Sequence, residues 1–199
     1  MSPLKSIIIS PEKDYPDETH WVNCLLNEGL NYFHIRKPQF TEKMMLDYIE
    51  AIDKTHRSRL VLHSFHHLAE GLGIQQLHFS ESDRKNKAYE RYKNHFLLST
   101  SVHSINAFNQ LNDTWQYAFL SPVFASISKQ GYGVQHTVFE ELKQRTNTTV
   151  ELIALGGIST ENLCNLASEP IDGVALLGSV WQGDNPLKNY RLCKQTDLL

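Results

Sequence analysis

The chain has 199 residues, of which 41% are hydrophobic and 21% charged, and its net charge is −3. This composition is typical of one globular domain with a well-buried core, and it gives no electrostatic basis for binding nucleic acid or an anionic membrane surface. No apolar run is long enough to cross a bilayer and the start of the chain lacks a signal-peptide cleavage site, so we expect a cytoplasmic protein with neither membrane nor nucleic-acid partners.

Short apolar or β-branched runs alternate with helix-like stretches along the whole chain. In order, these runs are KSIIIS (5–10), YFHIR (32–36), LVLHS (60–64), QLHFS (76–80), HFLLSTSV (95–102), YAFLSPV (117–123), ELIALGG (151–157) and GVALLGS (173–179). Strands alternating with helices predict right-handed βαβ crossovers and a parallel sheet, and eight such units fit a single (β/α)8 TIM barrel over residues 1–199. An open doubly wound sheet is the alternative, although the first βα connection lacks GxGxxG.

Several of the intervening stretches carry clear helix signals. WVNCLLNEGL ends on Gly29, a residue suited to a helix C-cap, and HHLAEGLG is short enough to predict only a brief helix. TVFEELKQR and TENLCNLA are expected to supply the later crossover helices. TEKMMLDYIEAIDK starts with Thr41 as N-cap and places four residues on one apolar face: Met45, Tyr48, Ile49 and Ile52.

The three cysteines, Cys24, Cys164 and Cys193, are far apart in the sequence and form no CxxC pair. This spacing indicates neither a disulfide framework nor a zinc knuckle. Each lies in a helix-like stretch, where we expect it to be a small buried hydrophobic residue.

Polar residues and glycines close most of the predicted strands. In a (β/α)8 barrel the C-terminal ends of the strands form the active site, so these residues are the candidates for function. In chain order they are His34 and Arg36, His63 and Ser64, His78 with Asp83, Ser99 and Ser101, the stretch from Ser121 to Lys129, Gly156 and Gly157, and Gly178 and Ser179.

The last two strand ends predict a phosphate site. In ALGGIST two glycines precede Ser159, and LLGSV repeats the pattern one strand later. Glycines let backbone N–H groups approach an anion closely, and a following helix offers its positive N-terminal end. Either glycine pair alone is explained as well by a tight βα turn, but two at adjacent strands favour phosphate binding.

The stretch SPVFASISKQGYG follows the sixth strand, beside those glycines. Ser126 and Ser128 can donate hydrogen bonds to phosphate oxygens, and Lys129 is a mobile positive charge suited to a mono- or diphosphate. Gly131 and Gly133 would let the loop close over a ligand. We therefore interpret the stretch as one wall of the phosphate pocket.

Two further groups of strand-end residues point to ligand chemistry. Arg36 is expected to pair with a carboxylate or an anionic ligand; Asp83 is a candidate for that partner, for a magnesium ligand, or for the N-cap of the helix RKNKAYERYK. His34, His63 and His78 could hold zinc if all three point inward. Neutral histidines that hydrogen-bond a substrate ring are the favoured interpretation, because no carboxylate stands at a recognisable ligand spacing.

Six motifs in order resemble those of the thiamin phosphate synthase family and of the related TenI-type thiazole tautomerases: FHIRKP, LHFSESD, STSVHS, YAFLSPVFASISKQGYG, IALGGIST and GVALLGS. The resemblance implies a (β/α)8 barrel that joins an aminopyrimidine methyl diphosphate to a thiazole phosphate and releases diphosphate. It implies that Arg36 and Lys129 hold the diphosphate, that Ser101 assists there, that His78 lines the pyrimidine pocket and that Asp83 binds Mg²⁺. The thiazole phosphate would be held by Ser126, Ser128, Gly156, Gly157, Gly178 and Ser179.

The chain departs from the family pattern on the diphosphate side. His34 replaces a Gln, Pro38 replaces a cation to which Lys37 is adjacent, and His63-Ser64 replaces an Asn-Asp pair, so that an expected Mg²⁺ ligand position is Ser64. A tautomerase that moves a proton with His34 or His63 is therefore an alternative, although Pro122 stands where its catalytic histidine would be. A non-catalytic thiazole phosphate-binding subunit is a third interpretation, and a homodimer is left open.

Overall fold

A computed structural model describes residues 3–125, 137–195 and 198–199 of the chain. Eight parallel strands form a closed barrel in which each strand pairs with the next and β8 pairs with β1, with Lys5 opposite Gly173. This closure confirms the predicted TIM barrel over the open sheet, and every strand lies within its predicted run. The strands are β1 Lys5–Ile9, β2 Tyr32–Ile35, β3 Leu60–Leu62, β4 Gln76–Phe79, β5 Leu97–Val102, β6 Tyr117–Leu120, β7 Glu151–Leu155 and β8 Gly173–Leu176.

The connections between strands mix α-helices with 3₁₀ turns. The α-helices are α1 Glu18–Asn27, α2 Glu42–Glu50, α3 Ala69–Leu72, α4 Glu81–Lys85, α5 Ile105–Asn109, α6 Gly178–Trp181 and α7 Pro186–Lys194. The 3₁₀ segments among the described residues are Lys54–Arg59, His66–Leu68, Phe139–Gln144 and Leu163–Leu166.

The strongest sequence signals give the expected helices. Thr41 caps α2, where its side chain accepts a hydrogen bond from the Met44 N–H, and the predicted apolar face is buried. Gly29 follows the end of α1 with φ of +99°, a conformation that favours glycine.

The two later crossovers differ from the prediction. TVFEELKQR and TENLCNLA form 3₁₀ segments, not α-helices. In the second, the Asn162 side chain accepts a hydrogen bond from the Ser159 N–H and donates one to the Gly157 carbonyl. These side-chain bonds satisfy backbone groups locally, so they hold the segment in turns where a helix would otherwise form.

The cysteines are buried to different degrees. Cys193 is buried, Cys24 is half-buried and Cys164 is exposed. The prediction of burial is wrong for Cys164 because Leu163 and Leu166 occupy the inward positions of its 3₁₀ turn.

Two apolar layers form the core. The larger lies between the outer face of the barrel and the surrounding helices, while a smaller one fills the barrel interior with Ile7, Ile9, Tyr117, Phe119, Ile153 and Ala175. Above this inner layer the side chains become polar, which leaves chemistry-bearing groups at the C-terminal mouth of the barrel. Of the helices described, none is long and apolar enough to span a membrane.

Candidate active site

Three histidines converge inside the barrel mouth. Side chains alternate between the two faces of a strand, so β2 directs Phe33 and Ile35 outward into the helix layer and His34 inward. The same alternation directs His78 of β4 inward, and His63 directly follows β3. His34 is fully buried and His78 is 3% exposed, whereas His63 is only half-buried. The cluster therefore opens toward the mouth through His63.

Hydrogen bonds connect the histidines to hydroxyl groups below and beside them. His34 Nδ1 lies 2.9 Å from His63 Nε2, and His34 Nε2 lies 2.7 Å from the Tyr117 hydroxyl. His78 contacts two hydroxyl oxygens of β5, with Nδ1 2.9 Å from Ser99 Oγ and Nε2 3.0 Å from Ser101 Oγ. The rings of His63 and His78 are stacked with centroids 4.2 Å apart.

The histidines of this cluster are neutral in the folded protein. Burial lowers the pKa of His78 to about 3, with smaller contributions from the charges of His66 and Arg36. Burial also lowers the pKa of His34 and of His63 well below the ordinary value, and the neighbouring histidines lower both further. Neutral imidazoles can accept or donate hydrogen bonds to a substrate ring, and each can offer a lone pair.

Arg36 lies at the mouth, beyond the end of β2. Its backbone N–H donates to Ser10 Oγ at 2.8 Å, and its guanidinium pairs with the Glu12 carboxylate. The side chain is 44% exposed, and its charge helps to lower the pKa of His63 and His78, so it lies near the histidine cluster. The expected carboxylate partner is therefore Glu12, not Asp83.

Asp83 belongs to the start of α4. Ser80 is the N-cap, and its Oγ accepts a hydrogen bond from the Asp83 N–H at 3.1 Å. Asp83 Oδ2 accepts in return from the Ser80 N–H at 3.1 Å and from the Ser80 hydroxyl at 2.5 Å. This capping box explains why Asp83 stands here, and it corrects the alternative in which Asp83 caps a later helix.

The expected magnesium position offers one carboxylate, Asp83, and one hydroxyl, Ser64. Mg²⁺ binds hard oxygen ligands, usually one or two carboxylates together with substrate phosphates. Asp83 is a single carboxylate that already shares Oδ2 with Ser80. The Ser64 hydroxyl is buried and has no hydrogen-bond partner among the residues described, so it can serve as a neutral oxygen ligand. Each of these residues offers an oxygen of the type that Mg²⁺ prefers, and the remaining ligands would have to come from a diphosphate and water.

Lys37 does not replace the cation missing at Pro38. Its Nζ lies 2.5 Å from Glu18 Oε2 at the start of α1, and the Tyr48 hydroxyl donates to Glu18 Oε1 at 2.6 Å. The Lys37 side chain is 1% exposed, so it is buried away from any ligand. Sequence reasoning missed this triad because no local pattern connects Lys37, which follows β2, with Glu18 on α1 and Tyr48 on α2.

The loops after β6, β7 and β8 border one cleft. Its volume is about 430 Å³, and its lining includes Ala125, Gly157, Ser159 and Ser179. Ser179 Oγ is buried without a hydrogen-bond partner among the described residues. Buried hydroxyls are normally satisfied, so this atom is free to donate to a ligand. The structure thus brings the two predicted glycine turns, with Gly157 on one and Gly178-Ser179 on the other, to the same place.

The glycine pair also has a packing role. Gly157 has φ of +65°, and a Cβ there would lie 2.2 Å from the Ala125 carbonyl oxygen. Gly156 has φ of +101°, and its carbonyl accepts a hydrogen bond from the Phe124 N–H at 3.0 Å. These glycines therefore let the loop after β6 lie directly against the end of β7. The tight-turn explanation accounts for why glycine is needed at these two positions.

Helix geometry differs at the two glycine turns. The helix N-terminus expected after Gly157 is absent, because the next helical segment among the described residues is the 3₁₀ turn at Leu163–Leu166. By contrast α6 begins directly at Gly178, and the N–H groups of Val180 and Trp181 both donate to the Leu177 carbonyl, so that only those of Gly178 and Ser179 start the helix without such a bond. Ser126, Ser128, Lys129, Gly131 and Gly133 lie outside the described residues; Ala125, which precedes them, lines the cleft.

Comparison with known proteins relates this chain to one family. A family model described as thiamine monophosphate synthase matches residues 6–180. The thiamine-phosphate synthase of Pelagibacter ubique (strain HTCC1062) is 26% identical over 198 residues, 94% of each chain. That of Staphylococcus haemolyticus (strain JCSC1435) is 25% identical over 121 residues, 59% of this chain and 57% of the relative.

Solved structures show the same fold. The thiamine phosphate pyrophosphorylase of Pyrococcus furiosus has a TM-score of 0.82 at 15% identity and covers 98% of this chain and 97% of its own. The corresponding protein of Bacteroides thetaiotaomicron has a TM-score of 0.79 at 22% identity and covers 98% of both chains. Because the family model spans most of the sequence, this chain belongs to the thiamine monophosphate synthase family.

Proposed function

We propose that this chain joins an aminopyrimidine methyl diphosphate to a thiazole phosphate and releases diphosphate. Family membership makes it a transferase of thiamin biosynthesis. The main structural support for this specific reaction is the cleft after β6, β7 and β8. There the Ser179 hydroxyl is buried beside Gly157 and has no partner among the described residues. Loops at these strands are the commonest phosphate site of TIM barrels, which supports thiazole phosphate binding there.

The diphosphate substrate would bind nearer the centre of the mouth. Arg36 can neutralise diphosphate oxygens by exchanging its Glu12 partner for the ligand. His78 Nε2 and Ser101 Oγ lie 3.0 Å apart, so the two side chains can hydrogen-bond neighbouring parts of one ligand, the pyrimidine and the leaving group. Asp83 and Ser64 would hold Mg²⁺, which when bound neutralises charge on the diphosphate. Lys129 is expected to add a second positive charge from the loop after β6.

The bond changes require positioning and charge neutralisation. The bond between the pyrimidine methylene carbon and the diphosphate oxygen breaks first, and its electron pair leaves with the diphosphate. The thiazole nitrogen then supplies the pair that forms the new carbon–nitrogen bond. Arg36 stabilises the departing charge, and the phosphate cleft holds the thiazole in place for attack.

Replacing Ser179 with alanine should weaken thiazole phosphate binding about 10- to 100-fold, because a hydrogen bond to a charged group contributes roughly 1.5–3 kcal/mol. Calorimetric titration with the thiazole phosphate measures this loss. Ser168→Ala, at an exposed position outside the cleft, is the matched control and should bind like the wild type. Equal affinity in Ser179→Ala would contradict the assigned phosphate cleft.

Diphosphate release tests the reaction itself. With both substrates and Mg²⁺, the wild-type enzyme should release one diphosphate for each thiamin phosphate formed. An absence of release at high enzyme concentration, while thiazole phosphate still raises the melting temperature, would remove the synthase proposal and leave a binding subunit. The expected cytoplasmic location and the homodimer stay predictions.

One observation favours a second candidate, the thiazole tautomerase. His34 Nδ1 and His63 Nε2 lie 2.9 Å apart in a direct hydrogen bond, so a proton can pass from one imidazole to the other. If this activity is present, conversion of a thiazole carboxylate phosphate isomer should disappear in His34→Gln and His63→Asn. Conversion that persists in both variants would exclude these histidines as the proton carriers.

A further inference from the structure

We propose that His34, His63 and His78 form a binding site for one divalent transition-metal ion, with Zn²⁺ as the representative ion, inside the barrel mouth. Its ligands are imidazole nitrogens, unlike the oxygens of the magnesium position at Asp83 and Ser64, and it does not depend on the proposed synthase activity. Its basis is the arrangement of three imidazole nitrogens, one from each histidine, that all lie within 4.8 Å of one another.

The spacing of one pair of these nitrogens is close to that of a metal site. Zinc binds histidine nitrogens at about 2.0–2.1 Å, so two nitrogens of a tetrahedral site lie roughly 3.3 Å apart. His34 Nδ1 and His63 Nε2 are 2.9 Å apart, which a small rotation of either ring would widen to that value. His63 is the half-buried member and stands where an ion would enter from the mouth.

The second nitrogens of two rings already have the partners that orient metal ligands. A ligating histidine commonly donates its other N–H to an oxygen, which sets the tautomer and the ring orientation. His34 Nε2 lies 2.7 Å from the Tyr117 hydroxyl, and His78 Nδ1 lies 2.9 Å from Ser99 Oγ. With the protons on these nitrogens, two lone pairs are available to an ion: that of His34 Nδ1, 2.9 Å from His63 Nε2, and that of His78 Nε2, 3.0 Å from Ser101 Oγ.

Charge and ligand type select the class of ion. Neutral imidazoles bind zinc and other first-row transition ions, whereas Mg²⁺ prefers oxygen. Arg36 brings a positive charge to the same side of the cluster, but it is paired with Glu12. The fourth coordination position would be left to water or a ligand from the mouth.

Metal titration of the chelator-treated protein, prepared without a polyhistidine tag, tests this site. One equivalent of Co²⁺ should produce visible absorption bands typical of tetrahedral coordination, and Zn²⁺ should displace it. Because binding stabilises the folded state, Zn²⁺ should also raise the melting temperature. Neither readout requires enzymatic activity, so failure of the synthase reaction would leave this result unaffected.

Variants assign the ligands. His34→Gln and His63→Asn should each weaken Zn²⁺ binding at least about 100-fold, because loss of a ligand should exceed the 10- to 100-fold loss typical of an outer partner. Tyr117→Phe, which removes only the hydroxyl near His34, should fall within that outer-partner range. His67→Gln is the control, because His67 is exposed and pairs with Glu42 outside the cluster.

The outcomes separate the metal site from a hydrogen-bond network. Far-UV circular dichroism and a cooperative thermal unfolding transition confirm that each variant is folded. Absence of the Co²⁺ bands in the wild type, or equal affinity in the wild type and in both ligand variants, would overturn the proposal. Loss of the bands in His34→Gln and His63→Asn but not in His67→Gln would support it.

Discussion

Replacing Gly157 with alanine should destabilise the protein by about 2–5 kcal/mol and abolish thiazole phosphate binding. A non-glycine residue in the left-handed region costs roughly 1–2 kcal/mol, and overpacking of a tight contact adds roughly 1–3 kcal/mol. At Gly157 the new Cβ would lie 2.2 Å from the Ala125 carbonyl oxygen and 2.7 Å from the Phe124 carbonyl carbon. These are backbone atoms, so relief requires the loop after β6 to move away from the cleft.

Gly73→Ala provides the matched control for this change. Gly73 has a similar φ of +71°, but a Cβ there would meet nothing within 4 Å. The substitution should therefore cost only the roughly 1–2 kcal/mol of placing a non-glycine residue in the left-handed conformation, and it should leave ligand binding unchanged. Urea unfolding and phosphate titration of both variants measure the difference. Equal losses of stability at the two positions would mean that close packing at Gly157 is not what requires glycine.

Replacing Lys37 with methionine should cost about 3–5 kcal/mol of stability, because it leaves a buried carboxylate without its partner. Glu18 is 7% exposed and would keep only the hydrogen bond from the Tyr48 hydroxyl. Lys43→Met is the matched control: Lys43 pairs with Asp47 at the surface, where both side chains are mostly exposed, so the loss should be much smaller. Urea unfolding at pH 7 compares the two variants.

The same variant should acquire a characteristic pH dependence. Burial raises the pKa of Glu18, while hydrogen bonds from Lys37 and Tyr48 oppose that rise. Without Lys37 the folded-state pKa should increase further above the unfolded value. The contribution of Glu18 to the variant's stability is then highest at acidic pH and is lost as the pH rises through the folded-state pKa, so the deficit relative to wild type should grow from pH 5 to pH 8.

A double variant checks the cause of that deficit. Lys37→Met with Glu18→Gln removes both charges and should recover part of the stability, with no added pH dependence. A deficit that is the same in the single and double variants, or that does not change with pH, would show that packing of the lysine stem matters more than charge. Either result keeps Lys37 out of the ligand site, because its ammonium is paired and buried.

The fold was predictable to the level of its strands. All eight follow from short apolar runs at regular intervals, because burial of both faces of a parallel sheet selects such runs. Helix type was less predictable: α2 forms as expected from its cap and apolar face, whereas the segment around Asn162 becomes turns. There, hydrogen bonds from the Asn162 side chain to the backbone replace helical hydrogen bonds, and the periodicity of apolar residues does not predict such bonds.

The sequence by itself determined which residue types stand at the strand ends, and therefore that histidines, serines and glycines meet at the barrel mouth. Only the tertiary structure decided their partners. It pairs Arg36 with Glu12, buries Lys37 against Glu18, and leaves Ser179 Oγ unpartnered among the described residues. The physical reason is that strand alternation is a local property, whereas charge pairing and hydroxyl satisfaction depend on side chains that barrel closure brings together.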